Sequence, residues 1–142
     1  MFLGEYEYKV DSKGRLPLPP KFRQEFGSEL ILTRGEETCV VAYPTSEWQK
    51  VTETIAVKEM IPSKRRKVHR VKYGSANSLT LDAQGRIALP SALRAYAQIE
   101  NNAVIVGANN YIEIWNPPLW NAEKASSEEE VYQIIENLEG QQ

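Results

Sequence analysis

The chain has 142 residues, 42% hydrophobic and 25% charged, a balance that suits one folded domain's worth of protein and excludes a wholly disordered chain. Seventeen Lys and Arg against nineteen Asp and Glu give a formal net charge of −2, which as a single number argues against a nucleic-acid partner, since binding to phosphates is led by clustered positive charge. No apolar run approaches the roughly 20 residues of a membrane span, and Met1 to Glu5 lacks the basic start and apolar stretch of a signal peptide, so a cytoplasmic protein with no membrane partner is expected.

In chain order, Phe2, Tyr6, Tyr8 and Val10 alternate with Glu5, Glu7 and Lys9, the period of two of a half-buried strand. Asp11-Ser12-Lys13-Gly14 reads as a turn, with Asp first to accept backbone N–H groups and Gly last. Arg15 leaves it at the start of a second short strand containing Leu16 and Leu18. Pro19 and Pro20 open a short helix, Lys21 to Phe26, that stops at Gly27. Strands Leu30 to Thr33 and Thr38 to Tyr43 follow. Cys39 lies in the second of these and is read as a small buried residue.

Thr45 or Ser46 then caps a helix whose Trp48, Val51 and Ile55 recur at three- and four-residue spacings, broken at Ile61-Pro62. From Lys64 to Lys72 the chain carries six Lys and Arg. That density suits either a nucleic-acid contact or a solvated helix face over Val68 and Val71, the second being simpler. His69, in the same segment, reads as a solvated side chain. With one cysteine and one histidine, neither an intrachain disulfide framework nor a Cys/His zinc site is available, and no metal or other cofactor is expected.

The segment Asp11-Ser12-Lys13-Gly14-Arg15-Leu16-Pro17-Leu18-Pro19 returns as Asp82-Ala83-Gln84-Gly85-Arg86-Ile87-Ala88-Leu89-Pro90, 71 positions on. Tyr8, Val10 and Phe22 fall on Leu79, Leu81 and Leu93. After one inserted residue the shift is 72, matching Gly35 with Gly107, Tyr43 with Trp115 and Trp48 with Trp120. Two like units are expected, residues 4–48 and 75–120, joined by a helical basic linker, 49–74, with strands Ala103 to Val106 and Tyr111 to Trp115 closing the second. Units of this size bury little surface alone, so the two should pack about a pseudo-twofold axis into a mainly β body with short helices. Residues 121–142 form an acidic tail, in which a short amphipathic helix after Ser126-Ser127 and a frayed end are equally acceptable.

The repeated Asp-x-x-x-Arg at a turn-to-strand junction is the strongest functional signal. The Arg15 and Arg86 guanidinium forks suit phosphate oxygens or a guanine edge; Asp11, Gly14, Asp82 and Gly85 shape the turns, and Lys13 and Gln84 add contacts. An Arg after an Asp-Gly turn is often merely exposed, but repetition of Asp, Gly, Arg and Pro together includes a charge that packing does not require. No Gly-rich phosphate loop, metal cluster or nucleophilic triad can be assembled, so neither an enzyme nor a small-molecule substrate is expected. RNA binding is disfavoured because Tyr6, Tyr8, Trp115 and Trp120 occupy apolar-face positions rather than stacking platforms.

The doubled Asp-x-x-Gly-Arg-x-x-Leu-Pro, with Gly4 and Tyr6 before it and Ile112-Glu113-Ile114-Trp115 near the end, resembles the MraZ family over nearly all of residues 1–120. That resemblance implies two SpoVT-AbrB-type halves forming a swapped-hairpin β-barrel, assembly into a homo-oligomeric ring, and nucleoid-associated control of transcription. The implied targets are repeated duplex-DNA sites upstream of the division and cell-wall gene cluster, the chain's own gene included. Its DNA-contact motifs map onto Asp11 with Arg15 and Asp82 with Arg86. The alternative is an AbrB-like protein-interaction module such as an antitoxin, though such proteins usually carry one half and a long flexible tail. The charge balance also sharpens: the tail from Asn121 holds six Glu and one Lys, so residues 1–120 are net +3.

Overall fold

The repeat resolves as two interlocked sets of strands. In the computed structural model, which describes residues 1–140, the first half supplies β1 (Glu5–Lys9), β2 (Arg15–Pro17), α1 (Pro20–Phe26), β3 (Glu29–Arg34) and β4 (Val40–Pro44). Helices α2 (Thr45–Val57) and α3 (Pro62–Lys72) intervene. The second half supplies β5 (Asn77–Thr80), β6 (Arg86–Ala88), α4 (Ser91–Tyr96), β7 (Asn102–Gly107) and β8 (Ile112–Trp115), and the chain runs on into α5 (Pro117–Gly140).

Neither half keeps its first strand. β1 pairs antiparallel with β7 of the second half, Tyr6 opposite Ile105, while β5 pairs with β3 of the first half, Leu79 opposite Leu30. The sheet order is β1-β7-β8-β4-β3-β5, with β1 and β5 at its two ends, and β2 and β6 form a separate two-stranded ribbon. The pairings carry a local dyad. Val40 faces Ile114 and Ala42 faces Ile112 about a central Val41–Glu113 pair; on the ribbon, Arg15 faces Ala88 and Pro17 faces Arg86 about a central Leu16–Ile87 pair.

Because alternate strand residues face opposite sides, the sheet buries two clusters. The larger gathers Leu16, Leu18, Leu30, Leu32, Ile87, Ile105, Ile112 and Ile114, all without exposed surface, and packs the ribbon against the sheet. The smaller holds Cys39, Val41, Val104 and Trp115 under Tyr43, Tyr111, Leu119 and Trp120. Strands β4 and β7 contribute to both clusters, which is why their sequences read as near-continuous apolar runs. Cys39 is buried as expected, and burial pushes its thiol well above the usual range; His69 is exposed, its ring 5.1 Å from that of Tyr73.

Three expectations are corrected. Gly35 corresponds to Ala108, not Gly107, because Gly35 N–H donates to Cys39 as Ala108 N–H donates to Tyr111, each closing its hairpin; the second hairpin is one residue shorter. Neither Thr45 nor Ser46 caps α2 with its side chain: Pro44 occupies the cap and Thr45 is already helical. Finally, α5 is neither short nor begun at Ser126-Ser127. Asn116 Oδ1 accepts the Leu119 N–H at 3.1 Å and Pro117 sits at the first turn, a start signal that carries 24 helical residues from there.

Candidate nucleic-acid interface

Each turn is built around one aspartate. Asp11 Oδ1 accepts the backbone N–H groups of Lys13 and Arg15, both at 2.9 Å, and its carbonyl accepts Gly14 N–H at 3.0 Å. Asp82 repeats this with Gln84 and Arg86 N–H, both at 2.9 Å, and Gly85 N–H, also at 2.9 Å. The chain can reverse only through positive φ at the glycines, +79° at Gly14 and +74° at Gly85, where a Cβ is strained.

The second carboxylate oxygen orients the arginine. Arg15 Nε donates to Asp11 Oδ2 at 2.6 Å and Arg86 Nε donates to Asp82 Oδ2 at 2.9 Å. These bonds hold the Asp11 carboxyl well below its usual range, down to about 2, chiefly through the Arg15 backbone N–H and then its guanidinium; Asp82 is lowered by the same bonds from Arg86. Both aspartates therefore stay ionised at any physiological pH and clamp the Nε edge. The outer edge of Arg15 takes no hydrogen bond among the described residues, whereas Arg86 Nη1 lies 3.7 Å from Asp11, an ion pair across the halves.

The ribbon brings the two turns together. Leu16 and Ile87 point into the core, so Arg15 and Arg86 lie on the opposite, solvent-facing side, as diagonal neighbours spaced about 7–8 Å apart. Each half also locks the other's turn: Leu18 N–H donates to Gly85 O at 3.3 Å and Leu89 N–H to Gly14 O at 2.9 Å. All the expected residues, Asp11, Lys13, Gly14, Arg15, Asp82, Gln84, Gly85 and Arg86, thus fall on one surface, with the Lys13 and Gln84 side chains exposed at its margins.

Sequence reasoning missed two members of that surface. Arg23 on α1 donates Nε to Leu18 O at 2.8 Å and lies against Gly85. Arg94 on α4 donates Nε to Ile99 O at 3.0 Å and Nη2 to Glu100 O at 2.6 Å, and its Nη1 would stand 3.3 Å from a Cβ at Gly14. They are related by the same 71-residue shift that relates the turns, so the repeat could have revealed them. Five cations therefore surround two aspartates that are each committed to a turn, a local excess of positive charge that the chain's net −2 conceals.

The family model described as "MraZ protein, putative antitoxin-like" matches residues 1–71 and 73–138. Among similar proteins, a "Transcriptional regulator MraZ" of Dehalococcoides mccartyi is 47% identical over 141 residues, covering 99% of each chain. Proteins of the same name from Lactobacillus gasseri and Lactobacillus johnsonii are 40% and 41% identical over 139 residues, covering 98% of this chain and 97% of theirs.

Proposed function

The chain belongs to the MraZ family, and from that premise we propose that it is a regulator of transcription that binds duplex DNA sequence-specifically through the β2·β6 ribbon. The observation that carries the reading is the pair of aspartate-clamped arginines, Arg15 and Arg86, diagonal to one another on one two-stranded ribbon. A two-stranded ribbon fits the major groove of B-DNA, where an arginine fork matches the two acceptors of guanine. Arg23 and Arg94 stiffen the turns from behind, while Lys13 and Gln84 reach flanking phosphates or base edges. Exchange of β1 and β5 between the halves supports the swapped-hairpin arrangement of two SpoVT-AbrB-type units.

One ribbon offers few contacts, so useful affinity calls for several copies acting on repeated elements, each raising the effective concentration of the next. A homo-oligomeric ring in the cytoplasm, engaging repeats upstream of the division and cell-wall gene cluster and of its own gene, meets that need. Footprinting on DNA upstream of its own gene tests the reading. Protection at evenly repeated elements, absent on random DNA of equal length, is expected; equal protection of both would contradict it. Capture of a dedicated protein partner with no duplex binding would instead favour an antitoxin-like role.

A further inference from the structure

The two halves differ in what fills the space at the end of the third strand of each. In the second half that strand, β7, ends at Gly107, where the backbone of Phe2 and Leu3 comes so close that a Cβ would stand 2.6 Å from it. Phe2 is buried there, its ring 5.2 Å from that of Phe22 on α1. In the first half the same place is not filled. β3 ends at Arg34 instead of a glycine, and β5 is preceded by α3. Tyr73, which the 71-residue shift matches with Phe2, turns instead to Trp48, with ring centroids 5.9 Å apart.

A cleft of about 510 Å³ opens there between the C-terminal end of α3 and the start of α4, with Arg34, Arg70, Ser75, Asn77 and Ser91 in its lining and no Asp or Glu. Glu36 and Glu37 follow Arg34 closely in the chain but lie outside that lining. Its walls are fixed. The Arg34 guanidinium lies over the Tyr96 ring, 4.3 Å from its centroid, and the Tyr96 hydroxyl donates to Gly35 O at 2.9 Å. On the other side the buried Thr33 donates its hydroxyl to Lys72 O at 2.9 Å and Ser75 donates to Val71 O, which ties the end of α3, and Arg70 with it, to β3. Among the described residues, neither Arg34 nor Arg70 makes an ion pair.

We propose that this cleft binds a phosphate group between the Arg34 and Arg70 guanidinium groups, with the Ser91 hydroxyl and the Asn77 amide beside them. Two unpaired guanidinium forks facing a space without carboxylates suit phosphate oxygens, which they can grip with paired hydrogen bonds. The cleft also adjoins the Asp11 turn: Leu89 N–H bonds to Gly14 O, and Ser91, two residues on and so within about 7 Å of chain, lines the cleft. That length matches about two base pairs of rise along a duplex. The phosphate is therefore one in the DNA backbone beside the ribbon, a source that rests on the proposed DNA-binding function, or one on a small phosphorylated molecule. Because Gly107 and Phe2 occupy the equivalent place in the other half, the site occurs once per chain and gives the pseudo-symmetric ribbon one distinguishable end.

The test compares the full chain with Arg34→Gln plus Arg70→Gln, both exposed positions whose change should leave circular dichroism unaltered. Lys64→Gln plus Lys67→Gln removes the same charge from α3 outside the cleft and serves as control. Duplex DNA from upstream of the chain's own gene is titrated at several salt concentrations, and Tm is followed as sodium pyrophosphate replaces sodium chloride at constant ionic strength. A backbone source predicts that the cleft variant lowers the slope of log affinity against log salt by about 1 per engaged chain, beyond any change in the control. A small-molecule source predicts that pyrophosphate raises Tm in the unaltered chain and the control but not in the cleft variant. Either result supports the site. It is overturned if the cleft variant matches its control in both arms. Arg15→Ala with Arg86→Ala keeps the two readings apart: undiminished DNA binding there defeats the ribbon as the DNA-reading surface, whereas the pyrophosphate arm judges the cleft independently.

Discussion

The two halves of the chain agree where they meet and part company where they leave the sheet. Around the ribbon they match almost atom for atom: the same three bonds to each aspartate, the same positive φ at each glycine, the same arginine over the opposite turn. After the fourth strand the first half builds two helices joined by a break, the second of them rich in Lys and Arg, and the second half builds one long acidic helix. Symmetry is retained where the two halves meet and set equivalent arginines side by side on one ribbon. It is lost at the periphery, where the first half carries the Lys- and Arg-rich α3 and the second the Glu-rich α5.

The largest effects should come from the dyad itself. Leu16→Ala and Ile87→Ala each remove a fully buried side chain at the centre of the ribbon; each should lower unfolding free energy by about 2–5 kcal/mol in urea titration. Near-equal losses would support the dyad, and a loss confined to one would break it. Next come the turns. Gly14→Ala and Gly85→Ala both force a side chain into positive φ at a cost of about 1–2 kcal/mol. Gly85→Ala should cost more, since its new methyl collides with Arg23, whereas at Gly14 the nearest neighbours are Arg94 Nη1 at 3.3 Å and Leu89 O at 3.6 Å.

Smaller still is the acid response. The Asp11 carboxyl is depressed on folding, so its contribution is present above the ordinary carboxylate range and lost as pH falls through about 2. Asp11→Asn should therefore flatten the acid limb of the stability curve between about pH 4 and 2, and Asp82→Asn should do so in the same direction. The smallest effect is expected at the other end of the dyad, where Glu113 faces Val41. Burial raises its carboxyl, opposed by the Trp115 Nε1 bond at 3.1 Å. A raised acid favours the fold below its unfolded value and loses that advantage as pH rises, so Glu113→Gln should raise Tm modestly at neutral pH, with the gap narrowing toward acid.

Much of this was legible because the informative features are local. The turn, its aspartate, its glycine and the arginine that follows lie within five residues, and their recurrence at a fixed shift exposed both copies. The alternation of Glu5–Lys9 identified a strand, but nothing in a period of two says which strand it will pair with, so the exchange of β1 and β5 had to be seen. Gly107 shares the residue type of Gly35 but not its position, which the hairpin bonds define as that of Ala108. The start of α5 was encoded in Asn116-Pro117 but hidden by the fourth strand's Trp115 directly before it. Arg23 and Arg94 lie outside the repeated turn motif, on short helices, although the shift of 71 links them as it links the turns.

The account stands or falls on the two clamped arginines. Affinity for the repeated upstream DNA should be measured for the unaltered chain, Arg15→Ala, Arg86→Ala and the double variant across a series of salt concentrations, with assembly size monitored throughout. Each single change should weaken binding by about 1–3 kcal/mol per engaged ribbon and the double change should abolish it, with fold and assembly intact. Undiminished affinity in the double variant, with the same salt dependence, would contradict the claim that the β2·β6 ribbon is the DNA-reading surface.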